Sequence, residues 1–339
     1  MSNNTNVYVD EYSLYNIANA IRYKLNVGTR YLPSQFSNAV NNIGIVNYEY
    51  KDTSRMFYKG ARLSNIDDIM PLCNNTWNCA YMFAESNITD APCINGHFIH
   101  NTQGMFYNCT NLVNVPSSYY FWSVMFANSM FYNCTSLVNA PYLSFHSCEL
   151  TNSLFQGCSN LTNIPSMDVG SVINAAYMFA GCGIENLPEL NFSRVSTINS
   201  LCQGCTKLTN ITYLNVGYEL GAAQAAFYGC TNLVNAPVLN TDNLILSAFM
   251  FAECYSLANV PQYNTAKVNN MSNMFMGCNN LSTGTIQNIV NMCLLASNIP
   301  TIFRNLNNSN QFSPLYRTKF SKTYYQSRWS QLQAAGWSY

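Results

Sequence analysis

Met105-Phe106-Tyr107-Asn108-Cys109-Thr110-Asn111-Leu112-Val113-Asn114-Val115-Pro116 is answered 25 residues later by Met130-Phe131-Tyr132-Asn133-Cys134-Thr135-Ser136-Leu137-Val138-Asn139-Ala140-Pro141. Outward from this pair the same phrase recurs in both directions. Its aromatic anchor falls at Phe57, Phe83, Phe106, Phe131, Phe155, Phe179, Phe227, Phe251 and Phe275, with Cys202 in its place once. The spacings are 26, 23, 25, 24, 24, 23, 25, 24 and 24 residues. Such a period is too short for two packed helices per unit and suits one solenoid coil with a short strand. Stacked coils put equivalent residues in columns about 4.8 Å apart, so ten coils make a rod roughly 45 Å long.

Each unit has one grammar. Met, Leu or Ala precedes the anchor. Three residues after it comes Cys in eight units (Cys109, Cys134, Cys158, Cys182, Cys205, Cys230, Cys254 and Cys278), with Gly60 and Ser86 in the first two. Then, in most units, come Leu or Ile, Asn two further on, an apolar residue and Pro. Columns of Phe, Leu and Met supply a continuous core. The Asn column is expected to bond backbone groups at a tight corner of each coil, since a thin solenoid cannot leave them unpaired.

The phrase Met-Phe-x-x-Cys-x-x-Leu-x-x-apolar-Pro resembles the BspA-type leucine-rich repeat of bacterial surface proteins and of some phage structural proteins, over about Arg55 to Leu281. The departures are Cys202 for Phe, Thr212 for Pro and the irregular first two units. The resemblance implies coils made of a strand, a turn and a short irregular or helical return. The fold class is therefore an α+β solenoid, a leucine-rich-repeat-like parallel β solenoid of about ten 24-residue coils with helical N- and C-terminal caps. Three regions follow: 1–48, 49–285 and 286–339.

Residues 1–48 do not keep the period. Leu14, Ile17, Ala18, Ile21 and Leu25 make one helical stripe, and Phe36, Ala39, Val40 and Ile43 a second, after Pro33 and a capping Ser34. Over residues 12–43 this helical hairpin resembles an N-terminal module of phage tail and fibre proteins, which implies attachment or assembly with other virion proteins. At the other end, Ile286, Ile289, Val290, Cys293 and Leu294 form a stripe, Thr323 to Ala335 read as helical, and Arg328-Trp329-x-x-Leu332-x-Ala-Ala-Gly-Trp resembles a terminal helix of the same proteins. Its role is to close the last coil.

Composition narrows the function. Charged residues are 9% of the chain, against about 25% in ordinary soluble proteins, and 15 acidic balance 15 basic. That argues against a nucleic-acid binder working by charge and against a highly charged disordered chain. No apolar run approaches the ~18 residues of a membrane span, which argues against membrane insertion, and the opening Met1-Ser2-Asn3-Asn4-Thr5-Asn6 has no secretory signal character. Leu63 to Ser193 carry no Lys or Arg against eight carboxylates, while 286–339 carry five basic residues and no acidic one. Eight of the 14 Cys share one column at the repeat period, so they read as buried, reduced, structural thiols. Cys202-x-x-Cys205 is the only close pair of a zinc-like kind, and both residues are repeat positions. No phosphate loop, nucleophile elbow or zincin motif is present. The chain is expected to be no enzyme, with no cofactor and no metal.

Binding is expected where the repeat varies, between each Pro and the next Met. The candidates are His97, Phe98 and His100 in the second unit, Tyr119, Tyr120, Phe121 and Trp122 in the third, and Phe145 and His146 in the fourth, next to Tyr142. Counted from each preceding anchor, His97, Tyr120 and Phe145 share one column, and Phe98, Phe121 and His146 the next. Four consecutive aromatics cannot all point inward. An aromatic and His surface suits sugar rings or a protein partner. The stretch lacks positive charge, so the expected ligand is a neutral glycan or a protein on a host surface. The expected function is a phage virion protein, a tail or fibre component in a homo-oligomer such as a trimer, located in the virion. The alternatives are a bacterial cell-surface adhesin of the BspA type and a capsid or tail decoration protein without a receptor.

Overall fold

The structure is a computed structural model that describes residues 51–60, 76–94, 96, 98–116, 121–211, 214–296 and 330. Its repeating element is built from turns. Around Phe57, the N–H groups of Met56, Tyr58 and Gly60 donate to the carbonyls of Thr53, Arg55 and Phe57 at 3.2, 3.1 and 3.1 Å. These are three overlapping turns. The first and third require a left-handed residue at their third position, and those residues are Arg55 (φ 56°) and Lys59 (φ 56°). Left-handed residues recur two before and two after every anchor, ending with Asn273 and Gly277 around Phe275.

This alternation turns every second N–H outward along the stack. Thr53, Arg55, Phe57 and Lys59 donate to the carbonyls of Asn78, Ala80, Met82 and Ala84 one coil on, at 2.7–2.9 Å. Thr102, Gly104, Phe106 and Asn108 do the same to Phe126, Asn128, Met130 and Tyr132 at 2.8–3.0 Å. The anchor segment is therefore a ladder of turns. It is not a β-strand, because left-handed residues lie outside the extended region.

Parallel β pairing occupies the other sides of the coil and is brief. β1 (Lys51–Asp52) pairs with β2 (Thr76–Asn78), β3 (Asn186–Leu187) with β5 (Asn210–Ile211), and β4 (Leu190–Phe192) with β6 (Leu214–Val216), all parallel. Single parallel bridges run in one column through Asn78, Asn101, Phe126, Leu150, Asn174, Thr197, Ala222, Leu246 and Asn270. The parallel, coil-to-coil register expected from the period is present, and the strands are 2 or 3 residues long.

Side chains follow the columns. The Phe rings stack with centroids 5.2–6.1 Å apart and planes within 8–12°. The stack breaks where Cys202 replaces Phe. The Cys column is buried beside it. Each Sγ donates to the carbonyl of the preceding anchor: Cys109 to Phe83 at 3.0 Å, Cys134 to Phe106 at 3.1 Å, and so on to Cys278 and Phe251 at 3.0 Å. Each of these carbonyls also accepts the turn bond from the N–H three residues on, so the thiol adds a second donor, from the next coil, to an oxygen with two lone pairs.

The Asn column behaves otherwise than expected. Its members are exposed and bond one another instead of the backbone. Asn163 Nδ2 donates to Asn139 Oδ1 at 3.0 Å, Asn259 Nδ2 to Asn235 Oδ1 at 2.8 Å, and Asn114 Nδ2 to Asp90 Oδ1 at 2.7 Å. The backbone role falls to a second set. Asn78, Asn101, Asn174 and Asn270 accept from the N–H two residues on, at 2.9–3.1 Å, and so start each run of turns.

After the last coil, α1 (Thr283–Leu295) begins three residues before the boundary read from the stripe, because Ser282 caps it by accepting from the Thr285 N–H at 3.3 Å. Ile286, Ile289, Val290, Met292 and Cys293 are buried, and Thr285 Oγ1 donates to Ala258 O at 2.8 Å. The helical hairpin expected in 1–48 lies outside the described residues. So does the helix expected over Thr323 to Ala335, apart from the helical Ser330.

Candidate recognition site

The return segments enter the coil through one more turn, and that turn sets their register. The Val124 N–H donates to Phe121 O at 3.3 Å, and the Cys148 N–H to Phe145 O at 3.0 Å. Phe121 and Phe145 thus occupy one column, ten residues before Phe131 and Phe155. Both are fully buried. Two expectations are corrected by this. Phe121 and Phe145 are core residues and present no surface to a ligand. The columns are aligned by counting back from the following anchor, because the length between Pro and this turn varies while the turn itself does not.

The corrected register puts Trp122 and His146 in the next column, and both face out. Trp122 is 57% exposed and the His146 side chain 78%. His146 Nδ1 lies 3.4 Å from Asp168 Oδ2, and its carbonyl accepts from Ser171 Oγ at 2.6 Å. One coil earlier, His100 is half-buried with Nδ1 2.8 Å from Phe98 O, and Phe98 is exposed. His97, Tyr119 and Tyr120 lie outside the described residues.

His100, Trp122 and His146 line one open groove of about 500 Å³, together with Glu149, Ser171 and Arg194. Three successive coils therefore contribute one candidate each. Sequence reasoning missed Glu149 and Arg194. Arg194 had a signal, since it is the first cation after Arg62. The groove offers an indole face, two imidazoles, hydroxyls and one charge of each sign. Ser171 Oγ donates its proton to the His146 carbonyl, so this hydroxyl is not paired with a base. Among the described residues, no group of three His, Cys, Asp or Glu could hold a metal ion, and no helix is long and apolar enough to cross a membrane.

A family model for the BspA type Leucine rich repeat region matches residues 53–162 and 124–222, in six copies covering half of the chain. The chain belongs to the BspA type leucine rich repeat family. A second model, described as Mycoplasma protein of unknown function, DUF285, matches residues 219–313, so the two together cover the whole repeat region. Among solved structures, a leucine-rich repeat protein from Bacteroides ovatus is 16% identical, with 72% of this chain and 67% of that chain covered and a TM-score of 0.35. No curated protein matches the chain. Neither matching description names a catalytic activity. The resemblance of residues 12–43 to phage tail proteins finds no counterpart in these comparisons.

Proposed function

We propose that the chain is a non-enzymatic adhesion scaffold that binds a neutral glycan or a protein on a cell surface through the groove of His100, Trp122 and His146. The observation that carries this is the gathering of those side chains, from three coils, into one open groove. The groove lies where packing does not dictate the residue. An exposed Trp with polar neighbours is the usual composition of a binding hot spot. The setting that fits the repeat family is a bacterial surface. The second reading is a virion tail or fibre, favoured by the pattern of residues 12–43, with 1–48 joining the oligomer or particle. Residues 1–48 and 286–339 then serve as the two ends of the rod.

Trp122→Ala and His146→Ala test the groove. Binding to intact target cells, or to an immobilised glycan panel, should fall about tenfold or more for Trp122→Ala. Melting should shift by less than about 2 °C, since an exposed side chain contributes little to stability. Unchanged binding by both folded variants would remove the groove from consideration. A chain starting at Asn47 that still joins its particle or oligomer would remove the assembly role of 1–48.

A further inference from the structure

A second and larger opening lies beyond β6. It measures about 940 Å³, and its lining includes Leu214, Val216, Tyr218, Val238, Asn240 and Asp242. β6 pairs on one side with β4, Leu190 with Leu214 through Phe192 with Val216. The equivalent stretch one coil later, 238–240, does not continue the ladder. Among the described residues its backbone makes no hydrogen bond to β6 or to the following coil. Among the described residues, pairing between these coils is found on other sides, as at Ala222↔Leu246.

The period marks the place. Cys202 to Phe227 is 25 residues, and Gly217 follows β6 directly. The Gly217 N–H donates to Phe192 O at 3.2 Å, and a Cβ there would stand 1.9 Å from Ser193 O. The end of β6 is thereby drawn onto the coil before it, and its other edge is left open. Leu214, Val216 and Leu239 form a buried apolar floor, with Tyr218 (71% exposed) and Val238 (80% exposed) on the rim. An open strand edge over an apolar floor is a template for an added strand. Asp242 is the one charged residue in the lining. It accepts from Asn264 Nδ2 at 2.9 Å, and no ion pair is formed by it among the described residues.

We propose that this cleft takes an extended peptide segment of a partner protein. The segment adds as a strand to the open edge of β6, sets alternate apolar side chains against Val238 and the floor, and places a basic side chain at Asp242. The site is separate from the Trp122 groove and does not depend on the function proposed for it. A displayed library of random heptapeptides, selected on the full chain, should yield sequences with apolar residues at every second position and a Lys or Arg. A synthetic peptide of the winning sequence should bind about threefold more weakly to Asp242→Asn. It should lose about tenfold to Val238→Lys, a change at an exposed position that leaves melting unaltered. N-methylation of its alternate backbone nitrogens should cost about fivefold or more if the backbone pairs. Trp122→Ala should bind it as the parent does. Equal binding of the N-methylated peptide, indifference to Val238→Lys, or selection of no such pattern would overturn the proposal. So would a chito-oligosaccharide that binds here and is lost in Val238→Lys, which would make the cleft a sugar site.

Discussion

The buried thiols make the fold sensitive to alkali. Burial pushes Cys148 and Cys254 up to about 12 and Cys109 up to about 11. An unfolded thiol loses its proton near about 8.5. Between those values the unfolded chain binds fewer protons than the folded one, so stability falls as pH rises. The contribution is whole below about pH 8.5 and drains as pH climbs toward the folded values. Urea midpoints should be flat from about pH 7 to 8.5 and then decline. The pair Cys148→Ala and Cys254→Ala should be weaker at neutral pH and decline less steeply. Alkylation of the native protein should reach exposed Cys93 before the column thiols. At Gly217 the constraint is space. Gly217→Ala should cost about 2 kcal/mol or more, because backbone atoms block the Cβ and cannot step aside. Gly221→Ala, whose Cβ would meet only Ser196 O at 3.8 Å, should be near neutral by chemical denaturation. Single residues were unevenly legible in the sequence. The Phe and Cys columns could be read because packing repeats. Phe121 and Phe145 were misread as surface because a one-residue length difference hides which column a ring joins.

At the scale of one element, the turn ladder explains what the repeat left unsaid. Left-handed positions are usually announced by Gly. Here Gly fills the position two after the anchor in the units of Gly157, Gly181, Gly204, Gly229 and Gly277, and Asn, Lys or Glu fill it elsewhere. Two before the anchor stand Arg55, Tyr81, Ser129, Tyr177, Ala225 and Phe249 among others, which have no shared chemistry. The sequence shows half of the alternation, so the period alone does not announce a ladder of turns at the anchor. The strain gives a direct check. Ala225 sits at φ 52°, where L residues are disfavoured by about 1 kcal/mol or more. Ala225→Gly should stabilise the chain by about 0.5 kcal/mol, the relief of strain outweighing the added freedom of the unfolded state. Ala223→Gly, two residues away, buried and not left-handed, should destabilise it by about 1 kcal/mol. Thermal melting of the two variants side by side distinguishes the ladder from a strand.

Across the whole molecule, each coil bonds to the coil before and after it, so stability is a sum of neighbour terms. Excision of Tyr228–Phe251, which joins Phe227 to Ala252, removes one 24-residue period and keeps every column in register. That protein should fold, melt at a lower temperature and still bind through the Trp122 groove. Excision of half that length should not fold, since it sets core columns against surface ones. Loss of folding in both would contradict the neighbour description. This modularity was legible from the period alone. The cleft at β6 was not, because the extra residue at Gly217 looks like any other fluctuation in spacing until the pairing around it is known. The same construction has a mechanical consequence. A scaffold held to a surface and pulled from one end bears the load on its terminal coil, whose bonds to its single neighbour can be peeled in sequence. Each coil that lets go pays out some 24 residues, roughly 80 Å of extended chain, while the coils behind it stay closed. Under flow the rod would act as a ratcheting tether that lengthens in uniform steps and keeps its binding coils intact until the peeling front reaches them.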